Sequence, residues 1–470
     1  MSFKIHTAVA AALAAISAPV FALNTTDTAN PDITLRFAGA SAQQDAFLVL
    51  LKQDLCNGDF DAYRGGSSGE NNNFRAYSCT IKTGLPGIST AAGKKVTVYY
   101  RSSGGSAWGP VPVAANVQIR QLQVDSTCTT GASFSYNAAT GSVAQPATNA
   151  FLCGTGTYTL DTDESTDNTR LPLKSVDVAL ADEEPKMYGY PNFPTSTRFS
   201  AVGGGNETTR QSLLNAINGN AVTGFAQVFG VVVNTTGGQF AANSNPSISK
   251  IALARIFDGT YTDWSQVPVG SVNGGVAGGV GVAPVTGPIV VCRREPGSGT
   301  QVAAHEYFLG TPQCKGLAAG TFDADTAPGT ADGVVENGSG STLNTCVETT
   351  PGAIGFASFG SENTSRTFVA IDGIRPSRYN AAAGAYGFVF ETTFTKNPNV
   401  TLAAGQTEVV NYLISSTQIA ANAPNTASVT ALPEFNDALG QGLFVSSKAP
   451  VSTMTRGGNT CSTPTMVQGF

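Results

Sequence analysis

One segment limits the fold of this chain more than any other. An apolar run, Pro288-Ile289-Val290-Val291-Cys292, stops at Arg294-Glu295-Pro296-Gly297-Ser298-Gly299-Thr300 and gives way to the helix-compatible stretch Gln301-Val302-Ala303-Ala304-His305-Glu306-Tyr307-Phe308-Leu309. The order is strand, glycine-bearing turn, helix start. Pro296 and Gly297 end the strand, Ser298 or Thr300 can cap the helix, and the backbone N–H groups of its first turn have no partner within it. Those donors, the positive end of the helix dipole and the Arg294 guanidinium together suit a phosphate-sized anion. Taken alone, the segment also reads as an ordinary Gly/Ser turn. It is not a nucleotide-binding loop of the Walker type, because no Lys follows the second Gly.

The same order of elements recurs along the chain. Ile33-Thr34-Leu35-Arg36-Phe37-Ala38-Gly39-Ala40 alternates as a strand and turns at Gly39, and Ser41 to Leu55 then carries Ala46, Phe47, Leu50, Leu51 and Leu55 at helical spacing. Lys95 to Tyr100 is a strand that runs into Arg101-Ser102-Ser103-Gly104-Gly105-Ser106-Ala107, and Ser175 to Ala181 is another, ending at Asp182-Glu183-Glu184-Pro185. Further on, Phe225 to Asn234 reads as a strongly apolar strand and Ser249 to Phe257 as a helix closed by Asp258-Gly259, with Trp264 as an anchor. A strand is expected at Phe388 to Thr395, and an amphipathic helix at Thr407 to Ile419 with Val409, Val410, Leu413 and Ile414 on one side. Strands alternating with helices predict an α/β fold, and the ends of such strands are where open α/β sheets bind ligands.

Composition narrows the class. The start of the chain reads as a secretory signal over 1–22: Lys4, an apolar core from Ala8 to Ile16, and the small-residue cleavage site Val20-Phe21-Ala22. No other stretch is long and apolar enough to span a bilayer. Lys and Arg number 26 against 32 Asp and Glu, a net charge of −6 that becomes −7 once Lys4 leaves, so nucleic acid is not an expected partner. Charged residues are 12% of the chain, against roughly 25% in typical soluble domains, which suits a loop-rich protein outside the cytoplasm. A length of 470 residues favours two lobes. The stretch 108–173, rich in Thr, Ser, Asn and Gly, reads as a β- and loop-rich insertion, and its run Asp161 to Asn168 as a solvated acidic loop.

All eight cysteines follow the signal, so disulfides are the default reading. Sequence proximity favours Cys56–Cys79, Cys128–Cys153 and Cys314–Cys346, which leaves Cys292–Cys461 as a long-range pair. No C-x-x-C pair occurs, which weighs against zinc and against thioredoxin-like chemistry. Of two histidines, His6 leaves with the signal and His305 lies within the helix after the glycine turn, so a multi-histidine metal site has no ligands and no metal or other cofactor is expected.

The order of these strand-end motifs resembles the phosphate-binding proteins of bacterial ABC transporters, in the type 2 periplasmic-binding-protein family. Arg294, Ser298, Gly299 and Thr300 match the family's arginine-to-serine loop, and Arg101-Ser102-Ser103-Gly104-Gly105 resembles its G-S-S-G-G turn. Val178 to Pro185 resembles its strand ending in an aspartate, here Asp182, and Gly39-Ala40-Ser41-Ala42-Gln43-Gln44 its opening turn. Ile256 to Trp264 and Gly352-Ala353-Ile354-Gly355-Phe356 resemble two further family signatures. The resemblance implies a two-lobed fold with a ligand cleft between the lobes: a first lobe begun over 23–223, a second over 224–375, and a return to the first with a C-terminal segment over 376–470. It also implies a periplasmic or secreted, monomeric, non-catalytic protein that captures phosphate or a related oxyanion, with an ABC transporter permease as a further partner.

By the same resemblance Arg294 neutralises the anion, and Ser298, Gly299, Thr300, Ser102 and Ser103 donate hydrogen bonds. Asp182 would select: a carboxylate accepts a hydrogen bond only from an anion that still carries a proton, so hydrogen phosphate enters and sulfate is repelled. Gln43 and Gln44 complete the expected ligand-binding set. Two departures stand out: Gln43 and Gln44 replace the Thr and Phe of the family's first turn, and Pro296 replaces the aspartate that holds the arginine, leaving Glu295 or Glu183 as its partner. Other classes are a secreted surface or matrix protein that binds partners through 108–173, and a phosphatase-like hydrolase using Ser298 or Ser103, for which His305 is the single histidine base.

Overall fold

The computed structural model describes residues 30–419, apart from 68–69, 132–148, 157, 159–168, 190–196, 201, 237–239, 241–244, 274–275, 280–285, 311–332, 360–362, 378–379 and 382–383, together with 443–444, 454–455 and 465–466. The expected signal, the acidic run 161–168, Cys314 and Cys461 lie outside the described residues. In chain order the elements that build the site are strand β1 (Ile33–Gly39), helix α1 (Gln44–Leu50), β2 (Asp61–Arg64), β3 (Phe74–Thr80), β4 (Lys95–Arg101), α2 (Pro110–Ala115), β5 (Asn149–Leu152), β6 (Val178–Ala181), α3 (Glu207–Asn218) and β7 (Ala221–Asn234). There follow α4 (Lys250–Phe257), β8 (Val290–Arg294), α5 (Gly299–Leu309), β9 (Val334–Asn337), α6 (Gly340–Thr349), β10 (Ala353–Ser358), β11 (Val389–Lys396) and α7 (Ala404–Ile419). The fold is mixed α/β.

Two sheet regions meet through long crossing strands. In the first, β1 pairs in parallel with β4 (Phe37 opposite Tyr100) and with β6 (Phe37 opposite Val178), so their C-terminal ends Gly39, Arg101 and Ala181 point the same way. In the second, β8 is parallel to β9 and to β10, which brings the ends of all three to one side. β7 belongs to both regions: Ala221–Thr223 pair with β11, the register shifts between Thr223 and Ala226, and Phe229–Val233 pair with β10. β11 closes the link by pairing with β6.

Side-chain alternation explains where the cores lie. Leu35 and Phe37 of β1 face a core with Phe47 and Leu51 on one side and Val409, Val410, Leu413 and Ile414 of α7 on the other. Ala38 and Ala179 point to the opposite face, against α2 and α3. The second region has its own core of Val231, Val233, Leu253, Ile256, Phe257, Ala303 and Ile354. Trp264 is fully buried there, and its indole N–H donates to the Gly352 carbonyl at 2.9 Å, which ties the α4 connection to the start of β10.

The expected disulfide pairing needs correction. Cys56–Cys79 and Cys128–Cys153 form, but Cys292 is bonded to Cys346, not to Cys461, and Cys346 is therefore not paired with Cys314. The reason is spatial: α6 packs back across β8 and brings the two Cα atoms to 6.1 Å although 54 positions separate them in sequence. At the start of the 108–173 stretch Trp108, Val111 and Val113 are core residues, and β5 adds to the sheet beside β2.

Candidate functional site

Four site loops leave the C-terminal ends of strands. Gln43 and Gln44 follow β1, Ser102 to Ser106 follow β4, Asp182 follows β6, and Arg294 to Thr300 join β8 to α5. Gln227 lies in β7, where the two regions join. The backbone brings the β4 and β8 loops into direct contact, with the Ala107 N–H donating to the Gly297 carbonyl at 2.9 Å. Gly105 has φ 79°, and a Cβ there would lie 2.9 Å from the Gly297 carbonyl oxygen, so both its torsion and the close approach call for glycine. Gln43, Gln44, Ser102, Ser103, Asp182, Arg294, Ser298, Gly299 and Thr300 are all buried.

The start of α5 keeps its donors. Val302 is the first to reach a helical carbonyl, that of Ser298 at 3.1 Å, so the N–H groups of Gly299, Thr300 and Gln301 have no acceptor within the helix. Ser298 occupies the N-cap position but its hydroxyl makes no capping bond. The cap expected from the sequence is therefore absent, and the Ser298 hydroxyl stays uncommitted to the helix. Gln301 turns its side chain the other way and accepts the Arg294 N–H at 3.2 Å.

Arg294 is held from several directions. Its Nε donates to the Asn337 carbonyl at 3.1 Å, and one terminal nitrogen to the Gly338 carbonyl at 3.3 Å and to Glu295 at 3.2 Å. Of the two carboxylates considered from sequence, Glu295 supplies the partner. Burial pushes the Glu295 carboxyl up to about 8; Arg294 opposes this, while Glu70 and Glu336 nearby add to it. A rise of this kind favours the neutral carboxyl and so leaves more of the Arg294 charge for a ligand.

Asp182 is the second charged group at the same place. Its Oδ1 accepts from Gln43 Nε2 at 2.8 Å and its Oδ2 from Ser106 Oγ at 2.9 Å. Burial raises its pKa, and the two hydrogen bonds and the Arg294 charge oppose that rise. A Cβ on Gly299 would stand 2.5 Å from Asp182 Oδ2, so the helix start and the carboxylate are in immediate contact.

The two serines of the β4 loop are already engaged. Ser103 donates to Glu70 at 2.8 Å. Ser102 pairs with Gln44, whose amide is satisfied on both sides when its Nε2 faces Ser102 and its Oε1 faces the Arg75 guanidinium. Arg101, the first residue of that motif, turns into the fold, with its guanidinium 4.3 Å from the Trp108 ring and donating to the Arg120 carbonyl at 3.1 Å.

Sequence reasoning missed Ser106, Gln227, Ser358 and Glu70. Ser106 sat within a quoted motif. Gln227 left a clear signal, a lone amide inside the apolar run Phe225 to Val233. Ser358 and Glu70 left none, because nothing local marks a strand-end Ser or a loop Glu as neighbours of a distant site. Chemically, the site pairs one guanidinium and a set of backbone N–H groups with one acceptor carboxylate. That combination suits a tetrahedral oxyanion bearing a proton.

Residues 223–422 match the family model described as the PBP superfamily domain. No curated protein matches the chain. Among solved structures, the chain is similar to a Clostridium perfringens protein assigned as a phosphate ABC transporter substrate-binding protein, with bound phosphate, at 12% identity and a TM-score of 0.42 over 88% of this chain and 99% of that one. It is also similar to PstS from Borrelia burgdorferi at 11% identity and a TM-score of 0.35, over 88% and 99% of the two chains. A third is an ABC-type phosphate transport receptor from Vibrio cholerae, at 18% identity and a TM-score of 0.31, over 51% and 74%. These likenesses are too loose to carry a ligand across. The β7-to-α7 stretch that supplies Arg294, Ser298, Gly299 and Thr300 falls within the residues that match this family model.

Proposed function

We propose that this chain is an exported, non-catalytic solute-binding protein that takes phosphate, or a closely related protonated oxyanion, between its two sheet regions. One observation carries the reading. Arg294, the N–H groups at the start of α5 that have no acceptor within the helix, and the Asp182 carboxylate come from both regions into a buried setting. A helix N-terminus and a guanidinium attract the anion, and the low-dielectric surroundings strengthen both. Asp182 then admits only a ligand that has a proton to give.

A binding role accounts for the residues better than hydrolysis does. His305 lies on α5 more than a turn past Ser298 and Thr300, and burial lowers its pKa. Among the described residues no helix is long and apolar enough to cross a membrane. Periplasmic or extracellular residence, a monomeric state, delivery to a transporter permease, and lobes over 23–223, 224–375 and 376–470 all belong to this proposal.

The test is titration calorimetry with inorganic phosphate on protein stripped of phosphate by unfolding and refolding. Arg294→Ala should lose at least about 30-fold in affinity, since it leaves a buried anion without its charge partner. Asp182→Asn should lose affinity for phosphate and gain it for sulfate. No detectable phosphate binding by the stripped parent protein would overturn the reading.

A further inference from the structure

Gln43 stands where the resembling family has a hydroxyl residue, and its amide is committed in a definite direction. Nε2 donates to Asp182 Oδ1 at 2.8 Å and to Gln227 Oε1 at 2.5 Å. Gln227 in turn donates from Nε2 to Ser358 Oγ at 2.5 Å, at the end of β10. The chain runs from the site carboxylate, through the crossing strand β7, to the second sheet region. Its polarity matches an ionised Asp182: such a carboxylate only accepts, so Gln43 presents N–H there and Gln227 presents oxygen to Gln43.

We propose that Gln43 is a specificity-determining residue: its amide keeps Asp182 an acceptor, so the site takes an oxyanion that carries a proton and turns sulfate away. This rests on the oxyanion-binding reading above. Gln43 touches Asp182 directly, and Gln227 is a positioning residue that acts by fixing the Gln43 amide. The groups around Asp182 are Gln43 after β1, Ser106 after β4, Arg294 at the end of β8, and Tyr188 with Glu183 in its own loop. Gln43, Ser106 and Arg294 favour the ionised carboxyl. Burial opposes them and raises the Asp182 pKa. The sign follows directly: removing one donor from an already desolvated carboxyl moves its protonation to higher pH. A protonated Asp182 can donate its O–H, and sulfate, which has no proton of its own near neutral pH, then gains a hydrogen bond instead of a repulsion.

The experiment measures phosphate binding with and without excess sulfate from pH 5 to pH 8.5, in the parent protein, Gln43→Met and Gln227→Met, with circular dichroism as a check on folding. The quantity read is the pH below which sulfate displaces phosphate. Gln43→Met should raise that pH and lower phosphate affinity at pH 8 about tenfold, the cost of one hydrogen bond to a charged group. Gln227→Met leaves every contact of Asp182 in place and should raise the onset by less; if Gln43→Met does not fold, this variant decides. A purely structural role would lower phosphate affinity equally at every pH and admit no sulfate. An unchanged onset in a folded variant, while the parent protein binds phosphate, overturns this inference alone. Absence of phosphate binding by the parent protein overturns it together with the proposed function.

Discussion

Gly299→Ala tests how closely the two sheet regions must meet. A Cβ at this position would lie 2.4 Å from Ser106 Oγ, 2.5 Å from Asp182 Oδ2 and 2.7 Å from Asp182 Cβ. The Ser106 hydroxyl can rotate away. Asp182 Cβ cannot, because its backbone continues straight from β6, and carbon atoms prefer about 3.5–4.0 Å. Roughly 1 Å of separation is therefore needed between the α5 start and the β6 end. Inserting a methyl into a packed contact of this kind costs about 1–3 kcal/mol. Val302, in the first turn of α5, shares a core with Ala107 and Ala181, so the cost divides between folding and ligand binding, and its binding share should appear as up to about a 150-fold loss of phosphate affinity. Calorimetry reads the affinity, a thermal melt reads folding, and small-angle X-ray scattering reads the change in overall dimensions on adding phosphate. A variant that binds phosphate like the parent protein would refute the argument that this glycine is there for close approach. A large loss of melting temperature with unchanged affinity would place the cost in the fold instead.

Two further outcomes follow from groups away from the site. Asp54 is 3% exposed, its carboxyl oxygens have no hydrogen-bond partner among the described residues, and burial raises its pKa from 3.8 to about 6 against the pull of Lys82. The native state then holds the proton more tightly than the unfolded chain, so its contribution is full below pH 3.8 and is lost as pH rises through about 6. Asp54→Asn should therefore melt higher than the parent at pH 7, by up to about 3 kcal/mol, with the difference gone near pH 4; an equal gain at both values would refute the assignment. The Cys292–Cys346 bond clips β8, and with it Arg294, to α6. The double variant Cys292→Ala/Cys346→Ala should lose about 2–5 kcal/mol in denaturant unfolding, and the same unfolding midpoint as the parent protein would contradict a structural role for this bond.

Much of the architecture was legible because it is written in local chemistry. Alternation marked β1, apolar runs marked β6 and β8, and helical spacing marked α1 and α7. Backbone geometry alone made the 294–300 turn a candidate anion cradle, since the first turn of any helix leaves N–H groups unpaired. Residue type made Arg294 and Asp182 the charges to watch. What the sequence could not supply was direction and distance. Arg101 and Arg294 both end strands, yet one stacks on Trp108 inside the first region and the other stays at the site, because their neighbours in space differ. Cys292 found Cys346 because α6 folds back over β8, a fact invisible to sequence separation. Gln43 reads as one more polar residue in a turn until Asp182, Gln227 and Ser358 arrive from three other strands to orient its amide. Local propensity sets the strands, turns and helix starts, whereas a hydrogen-bond partner far along the chain exists only once the sheets have brought it near.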